Sequence, residues 1–523
     1  MHDHIKEWKK MANNHYDVII IGTGAGGGTL AHQLAPSGKK ILVLERGTFV
    51  PREKANWDSK EIFQNRRYCT TETWYDPKGK AVHPITHYYV GGNTKFYASA
   101  LQRFRERDFE TVIHEGGISP EWPLKYRDFA PYYTQAEELY EVHGKRGLDP
   151  TEPENREEYP FPPASHEPYV QEVHDKLKAN FLHPFYVPIG LKLNEVNRHL
   201  SPCIRCNTCE CFPCLIHAKS DADINCMRPA ITHSNLTLLT EAKVLRLHTS
   251  ASGREVTKVE AEIAGQRQIF SADIIVVACG AINSAVLLLQ SANDKHPNGL
   301  ANSSNLVGRN YMCHNNGVVI SLTTKEIPAI FSKTLAIYDF YWGEKDFPYP
   351  MGIIHSRGNV DKAVIASYGP PFMPTFMIEA LAKRSFSWWI ISEDLPNTNN
   401  RVYVQDNKIT LDYTNNNMKA FDRLMTSWIE ILKLIEEHDN FFPLSLHLKH
   451  AIGLEGVAHQ CGTCVFGEDP KTSVLNLNCR THDVNNLYVV DGSFFPSSAS
   501  VNPSLTIIAN ALRVGDHLLK LLA

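Results

Sequence analysis

The sequence predicts a mixed α/β fold in which a parallel sheet is assembled from segments far apart in the chain, with the intervening residues forming a second domain. Three observations carry this. The β-branched run Tyr16-Asp-Val-Ile-Ile-Ile ends in a glycine-rich turn at Gly22 and is followed by the apolar run Lys40-Ile-Leu-Val-Leu-Glu45. A third such run, Ile274 to Ala278, passes through Cys279-Gly280-Ala281 into the helical pattern Ser284–Gln290. A fourth, Asn486-Leu-Tyr-Val-Val-Asp491, precedes a helix-like stretch from Pro503 to Leu522. Continuous apolar runs without alternation fit strands covered on both faces.

Taken in order, the first strand leads into a helix starting at Thr29, and the second strand completes a β-α-β unit. The blocks expected to rebuild the parallel-sheet domain are 14–115, 196–315 and 455–523. The insertions 116–195 and 316–454 then form the other domain. The first insertion opens with Ile118-Ser-Pro-Glu-Trp-Pro and carries a polar, proline-rich run over 150–164, read as a surface excursion. The second is rich in large aromatics, including Phe331, Tyr338, Phe340, Tyr341, Trp342, Trp388 and Trp389. Within it, Val402-Tyr-Val and Ile409-Thr-Leu read as strands, and Met418 to Glu437 as a long helix. No internal repeat or low-complexity tract is present.

A chain of 523 residues exceeds one small core, given about 100–200 residues per domain. A formal charge of −4 with no long basic run gives no electrostatic reason to expect nucleic acid. The polar start Met1–Asn14 has no apolar core of a secretory signal. The longest apolar stretch, Ile274 to Leu289, is interrupted by Cys279-Gly280, Asn283 and Ser284 and falls short of the roughly 20 residues that span a bilayer. No transmembrane segment and a cytoplasmic location are therefore expected.

Gly22-Thr-Gly24-Ala-Gly-Gly27 satisfies GxGxxG directly after a strand and before a helix. The first glycine permits the tight turn, the second lets backbone approach a pyrophosphate, and the third allows close helix–strand packing, with the helix N-terminus adding partial positive charge. Glu45 ends the second strand, where a carboxylate can accept from ribose hydroxyls. An ordinary tight turn is the competing reading, disfavoured by the flanking strands and the acid. The motif alone leaves NAD and FAD open.

His459-Gln-Cys-Gly462-Thr463-Cys464 resembles the HxxGTC motif of glucose–methanol–choline (GMC) oxidoreductases, and Ser500-Val-Asn502-Pro503-Ser-Leu-Thr506-Ile resembles the family's NPxLTI motif, at the usual spacing. Gly91-Gly92-Asn93-Thr94 resembles the family's loop over the flavin, with Asn93-Thr94-Lys95 where two small residues are usual. Gly280-Ala-Ile-Asn-Ser284 through Ser291 resembles the second signature, with Ala285 in place of proline and Ala292 in place of glycine. The resemblance spans the chain in four ordered blocks. It implies a Rossmann-type FAD-binding domain built from discontinuous segments, beside a substrate-binding domain containing an antiparallel sheet and helices. The strand continuing Glu45-Arg46-Gly47 favours FAD on the same ground.

The resemblance further implies oxidation of an alcohol or sugar CH–OH group, with electrons passed to oxygen or another acceptor. It implies that His459 and Asn502 are the catalytic pair. A neutral histidine can take the hydroxyl proton, and an asparagine can hold the same oxygen. Gly22, Gly24, Gly27, Glu45, Arg46, Gly91, Gly92, Asn93, Val244, Gly280, Asp491, Gly492, Asn502 and Pro503 are the implied FAD-contacting set, Val244 near the adenine and Asp491 near the ribityl or pyrophosphate part. Asn502-Pro503 also reads as an N-cap followed by proline at the first helical position, aiming the positive helix end at the site. Alternatives sharing the fold are an FAD-containing lyase of the hydroxynitrile lyase type and a protein that binds FAD without redox chemistry.

Five of the twelve cysteines, Cys203, Cys206, Cys209, Cys211 and Cys214, crowd into one short segment before His217-Ala-Lys219-Ser220. Iron–sulfur or zinc ligation through Cys203, Cys206, Cys209 and Cys214, a local disulfide, and reduced structural thiols are the open readings, with reduced thiols preferred. The aromatic stretch 331–389 reads either as a wall of a substrate pocket or as ordinary core, and core is the commoner fate of such residues.

Overall fold

Five parallel strands carry the N-terminal glycine-rich turn. Their order across the sheet is Leu236–Leu239, Ile41–Leu44, His15–Ile21, Gln266–Val277 and Leu487–Val489. Val18 stands opposite Ile41 and Ile274, and Ile275 opposite Leu487, so segments from both ends of the chain lock one register. All four residues of Ile41–Leu44 are buried, as strands covered on both faces require. This computed structural model describes residues 15–154, 157–370, 372–437, 446–456 and 458–523. The polar start 1–14 and part of the proline-rich run lie outside the described residues.

The twelve-residue strand Gln266–Val277 serves two sheets' worth of partners. Its first half pairs antiparallel with Val256–Ile263, which in turn pairs with Ala242–Thr249, while its second half joins the parallel array beside His15–Ile21. The helix after the first strand spans Ala25–Leu34, four residues earlier than its sequence pattern suggests. Three glycines with poor helix propensity are carried into it by packing. At Gly26 an added Cβ would lie 1.8 Å from the Val490 carbonyl oxygen, so a side chain there would displace the Leu487–Val489 strand.

This helix packs against the C-terminal helix Ser504–Leu522, where Gln33 donates to Asp516 at 2.9 Å. Helix Tyr126–Leu139 joins them through Tyr133, whose hydroxyl lies 2.8 Å from that of Thr506.

The second sheet is antiparallel and six-stranded, in the order Leu446–Ile452, Asn315–Leu322, Ser385–Ser392, Ile353–Gly358, Leu335–Ile337 and Phe185–Tyr186. Helix Met418–Glu437 covers it with Phe421, Leu424, Met425, Trp428 and Leu432, one stripe at helical spacing, against Val319, Phe386 and Trp388. Trp388 and Trp428 meet edge to face with centroids 4.8 Å apart. Each fully buried Leu or Phe in that stripe contributes about 1.5–3 kcal/mol. The two strands expected at Val402 and Ile409 are Arg401–Gln405 and Lys408–Asp412, which pair antiparallel as a hairpin. Most of the aromatic stretch is core: Phe331, Tyr338, Phe340, Tyr341 and Trp388 are buried. Among the described residues no helix is long and apolar enough to cross a membrane.

Candidate active site

A cleft of about 990 Å³ runs past the carboxyl ends of the parallel strands, touching Ile21, Leu44 and Ala278. This is where open α/β sheets bind ligands. Its floor is the glycine-rich turn. Gly22 adopts φ +100°, and a Cβ there would stand 2.4 Å from the Ala278 carbonyl oxygen. At Gly24 a Cβ would meet no protein atom within 4 Å, because the position opens into the cleft. Gly280 is likewise open. Gly27 does not face the cleft and packs against the Gly22 carbonyl, in keeping with the packing role expected of the third glycine.

Glu45 lines the cleft yet is already engaged: Oε2 accepts from the Thr23 amide at 3.1 Å and hydroxyl at 2.6 Å, and Oε1 from the Gly47 amide at 2.9 Å. Burial pushes its carboxyl upward, opposed by those hydrogen bonds. Oε1 keeps a further lone pair for a ligand hydroxyl. Arg46 lies over the Tyr88 ring at 3.6 Å and pairs with Glu72 at 3.3 Å. Val244, Gly92, Asn93, Gly492 and Pro503 also line the cleft. Gly91 does not; a Cβ there would approach the Lys95 stem and Asp223 Cβ, so its place is behind the loop. Lys95 itself is buried between Asp221 and Asp223, at 3.0 and 2.9 Å. This pairing explains how a lysine is accommodated where small residues are usual. Asp491 accepts from the Gly280 amide at 3.0 Å and from Ser284 and Ser493, tying two strand ends together beneath the cleft.

His459 and Asn502 meet in the cleft wall, with His459 Nε2 3.2 Å from Asn502 Nδ2. The backbone that carries His459 is clamped. Cys461 and Met312 exchange backbone hydrogen bonds at 2.9 and 3.0 Å, the Gly308 amide donates to the Thr463 carbonyl, and Thr463 Oγ1 donates to the Ala281 carbonyl at 2.6 Å. Gly462 adopts φ +88°, and a Cβ there would lie 2.3 Å from the Asn310 carbonyl oxygen, so that clamp admits only glycine. Burial lowers the proton affinity of His459 well below the ordinary imidazole range, and His314, Lys333 and His355 act in the same direction. A neutral ring is the form that can accept a proton.

Asn502 does not cap the C-terminal helix as expected. The helix runs Ser504–Leu522 with Pro503 at its N-cap and no side-chain cap bond, because the Asn502 amide is turned to His459. Its buried Oδ1 has no protein partner. The helix start nevertheless faces the cleft through Pro503, Ser504 and Ile507.

Sequence reasoning missed several neighbours. His314 Nδ1 lies 3.0 Å from His459 Nδ1. Asn316, Glu210 and Lys333 line the same cleft, with Trp389 the one member of the aromatic stretch named above that does so. Burial opposes the charge of Glu210, but Lys333 at 3.3 Å and Arg357 at 3.4 Å outweigh it and hold its carboxyl down to about 2. No motif flags these residues; they meet only through the second sheet and the cysteine-rich loop.

In that loop all five cysteines are free and half-buried. Burial pushes the thiols of Cys203 and Cys209 up, to about 11 and about 12. Among the described residues no group of three or more His, Cys, Asp or Glu is arranged to hold a metal ion. The loop is organised instead by the buried Lys219 ammonium, which donates to the carbonyls of Lys95, Tyr97, Cys209 and Phe212 at 3.3, 2.9, 2.5 and 2.7 Å.

The residues present fit FAD. The cleft has a Cβ-free floor at Gly24 and Gly280, a helix N-terminus behind it, and at its other end a buried orphan oxygen on Asn502 beside a proton-accepting ring.

Two family models described as GMC oxidoreductase match the chain, the N-terminal one over residues 186–316 and the C-terminal one over 409–511. Paromamine 6'-oxidase of Streptomyces fradiae is 29% identical, over 95% of this chain and 90% of that protein. 6'''-Hydroxyparomomycin C oxidase of Streptomyces lividus is 28% identical, over 97% and 92%. 2-Methyl-1,2-propanediol dehydrogenase of Mycolicibacterium austroafricanum is 28% identical, over 96% and 95%. Among solved structures, pyridoxine 4-oxidase from Mesorbium loti shares the fold with a TM-score of 0.67 at 18% identity, covering 96% of this chain and 99% of that one. With these matches spanning both sheets and the cleft between the glycine-rich turn and His459, the chain belongs to the GMC oxidoreductase family.

Proposed function

We propose that the protein is an FAD-dependent oxidoreductase that oxidises the CH–OH group of a small polar alcohol or sugar, with His459 as base and Asn502 holding the hydroxyl. The observation that carries this reading is the contact between His459 Nε2 and the Asn502 amide in the wall of a cleft whose far end is a dinucleotide cradle. FAD, when bound, supplies the two-electron acceptor for the hydride. Gly22, Gly24, Glu45, Arg46, Gly92, Asn93, Val244, Gly280, Asp491, Gly492 and Pro503 would hold it. Segments 14–115, 196–315 and 455–523 form the cofactor domain in this reading, and 116–195 and 316–454 the substrate domain.

His459 enters the reaction neutral, because burial disfavours its charged form. Its Nε2 accepts the substrate hydroxyl proton, and the Asn502 Nδ2 amide beside it donates to the same oxygen and so orients that hydroxyl before transfer. The partial positive charge of the helix beginning at Ser504 favours electron density arriving nearby. Asn316, Glu210 and Lys333 set beside Trp389 suit a hydroxylated substrate better than a wholly apolar one. The relatives named as a paromamine 6'-oxidase and a 2-methyl-1,2-propanediol dehydrogenase support this class.

The test is an anaerobic visible spectrum of the purified protein with a panel of sugars, polyols and simple alcohols. Bleaching of the flavin bands by a panel member supports the reading, and admitting oxygen then distinguishes an oxidase from a dehydrogenase. His459→Ala should keep FAD while slowing bleaching by about three orders of magnitude. A protein that holds no flavin after FAD is added back would overturn the proposal.

A further inference from the structure

We infer that His314 is a positioning residue that fixes the tautomer of His459, a role that rests on reading His459 as the base. The argument is one of donors and acceptors. The Ser498 carbonyl oxygen can only accept, and it lies 3.1 Å from His314 Nε2, so that nitrogen carries the proton. A neutral His314 then offers Nδ1 as an acceptor. The facing atom, His459 Nδ1 at 3.0 Å, must therefore donate. That leaves His459 Nε2 bare, facing the Asn502 amide as donor at 3.2 Å. Four groups in line are satisfied in one direction only, and the direction puts the unprotonated nitrogen of His459 at the cleft, held by the Asn502 amide until a substrate hydroxyl takes its place.

The opposite arrangement disables the base. If His314 carried two protons, His459 Nδ1 would accept and its own proton would sit on Nε2. That state would place a charge on a ring 3% exposed, both of whose nitrogens face uncharged partners, His459 Nδ1 and the Ser498 carbonyl. Asp394 accepts from the backbone amides of Cys313 and His314 at 2.8 and 2.9 Å and from Tyr413 and Ser498 hydroxyls at 2.9 and 3.1 Å. Glu393 holds His114 at 3.2 Å, Ser119 at 2.6 Å and the Ala499 amide at 3.1 Å.

The backbone supplies an independent sign of purpose. His314 adopts φ +65°, a left-handed conformation that is uncommon for any residue but glycine and costs about 1–3 kcal/mol where surroundings impose it. The Asp394 carboxylate imposes it here by gripping two consecutive amides, and the same carboxylate takes the Ser498 hydroxyl. One buried side chain thus fixes both ends of the relay, the ring of His314 and the carbonyl it donates to.

In the oxidation the substrate O–H bond would break with its proton going to His459 Nε2 and the oxygen's electron pair forming the carbonyl π bond, while the carbinol C–H pair would leave as hydride to the two-electron acceptor that FAD would supply. His459 becomes an imidazolium whose Nδ1–H still points at His314 Nδ1, so the new charge is stabilised without a second proton moving.

The test compares three variants of the FAD-loaded protein by stopped-flow flavin reduction with an active substrate. His314→Leu removes the acceptor, and its limiting reduction rate should fall about a hundredfold or more, in line with wrong-tautomer variants elsewhere, with the substrate Kd changed less than about threefold. His314→Asn returns an acceptor oxygen near Nδ1 and should recover to within about tenfold of the parent. His459→Ala separates the two readings. If it reduces flavin as fast as the parent, the base assignment has failed and takes this inference with it. If His459→Ala is slow while His314→Leu is fast, the relay alone is overturned. Should His314→Leu not fold, ¹⁵N-histidine NMR of the unmodified holoprotein, with His459 assigned by difference, decides: a proton on Nδ1 and a bare Nε2 is the expected signature, and a proton on Nε2 overturns the inference.

Discussion

The Thr23 hydroxyl donates to Glu45 Oε2 at 2.6 Å while accepting from the Gly91 amide at 3.1 Å, so one side chain joins the glycine-rich turn, the end of the second strand and the loop over the cleft. Thr23→Val keeps the shape and removes both bonds. The loss should be about 2–3 kcal/mol, since Glu45 is buried and its charge depends on these donors. Part of it should appear as an FAD dissociation constant raised about tenfold, read by fluorescence titration of the apoprotein. An unchanged constant would show that the turn keeps its shape without the hydroxyl.

Two glycines two residues apart should answer differently to alanine. Gly24→Ala adds a methyl that meets no protein atom at φ −68°, so the melting temperature of the apoprotein should hold while FAD affinity drops about a hundredfold. Gly26→Ala drives a methyl into the Val490 carbonyl and should destabilise the fold by about 3 kcal/mol or more. Thermal melts with and without FAD distinguish the two.

Lys219→Met should loosen the cysteine-rich loop. The change strips four carbonyls of their shared donor, each costing about 1–3 kcal/mol if left unsatisfied, partly recovered by water. At neutral pH the parent thiols of Cys203 and Cys209 are protonated and slow to react, because burial raises them. Thiol labelling by a disulfide reagent should therefore accelerate at least tenfold in the variant. Equal labelling rates would mean that the loop holds without the ammonium.

Acid should destabilise the protein well above carboxylate titration. Burial lowers His87 to about 4 and His355 to about 3, with Lys333 adding to the second. Both stay neutral when folded but protonate near 6.5 when unfolded, so the unfolded state binds the extra protons as pH falls. Stability is undiminished above pH 6.5, falls as pH drops below it, and levels off near the folded values. At pH 5 each ring costs about 2 kcal/mol. Urea unfolding at pH 7, 6 and 5 measures the slope, and His355→Gln should flatten it by about 2 kcal/mol between pH 7 and 5.

Local pattern carried much of this architecture. The parallel strands and the glycine-rich turn are legible because burial on both faces leaves an uninterrupted apolar run, and because Gly22 answers to a backbone approach that no other residue permits. Helix Met418–Glu437 was legible from its single apolar stripe. The start of the helix at Ala25 was not, since tertiary contact at Gly26 overrode the weak helix propensity of three glycines. Asn502-Pro503 has the local form of a cap, yet its amide went to His459, a partner that local sequence does not show.

By itself the sequence indicated the family, the glycine-rich turn and the nearness of His459 to Asn502, because each is carried by short segments of distinctive residue types. The tertiary structure alone decided what surrounds that pair. His314 is one histidine among 24, with no motif to mark it. It reaches His459 because Asp394 forces a left-handed turn just before the strand Asn315–Leu322. Glu210, Lys333 and Trp389 likewise converge from separate segments. Contacts of this kind depend on how sheets and loops are brought together in space, and a hydrogen-bond direction exists only once donors and acceptors from distant segments face one another.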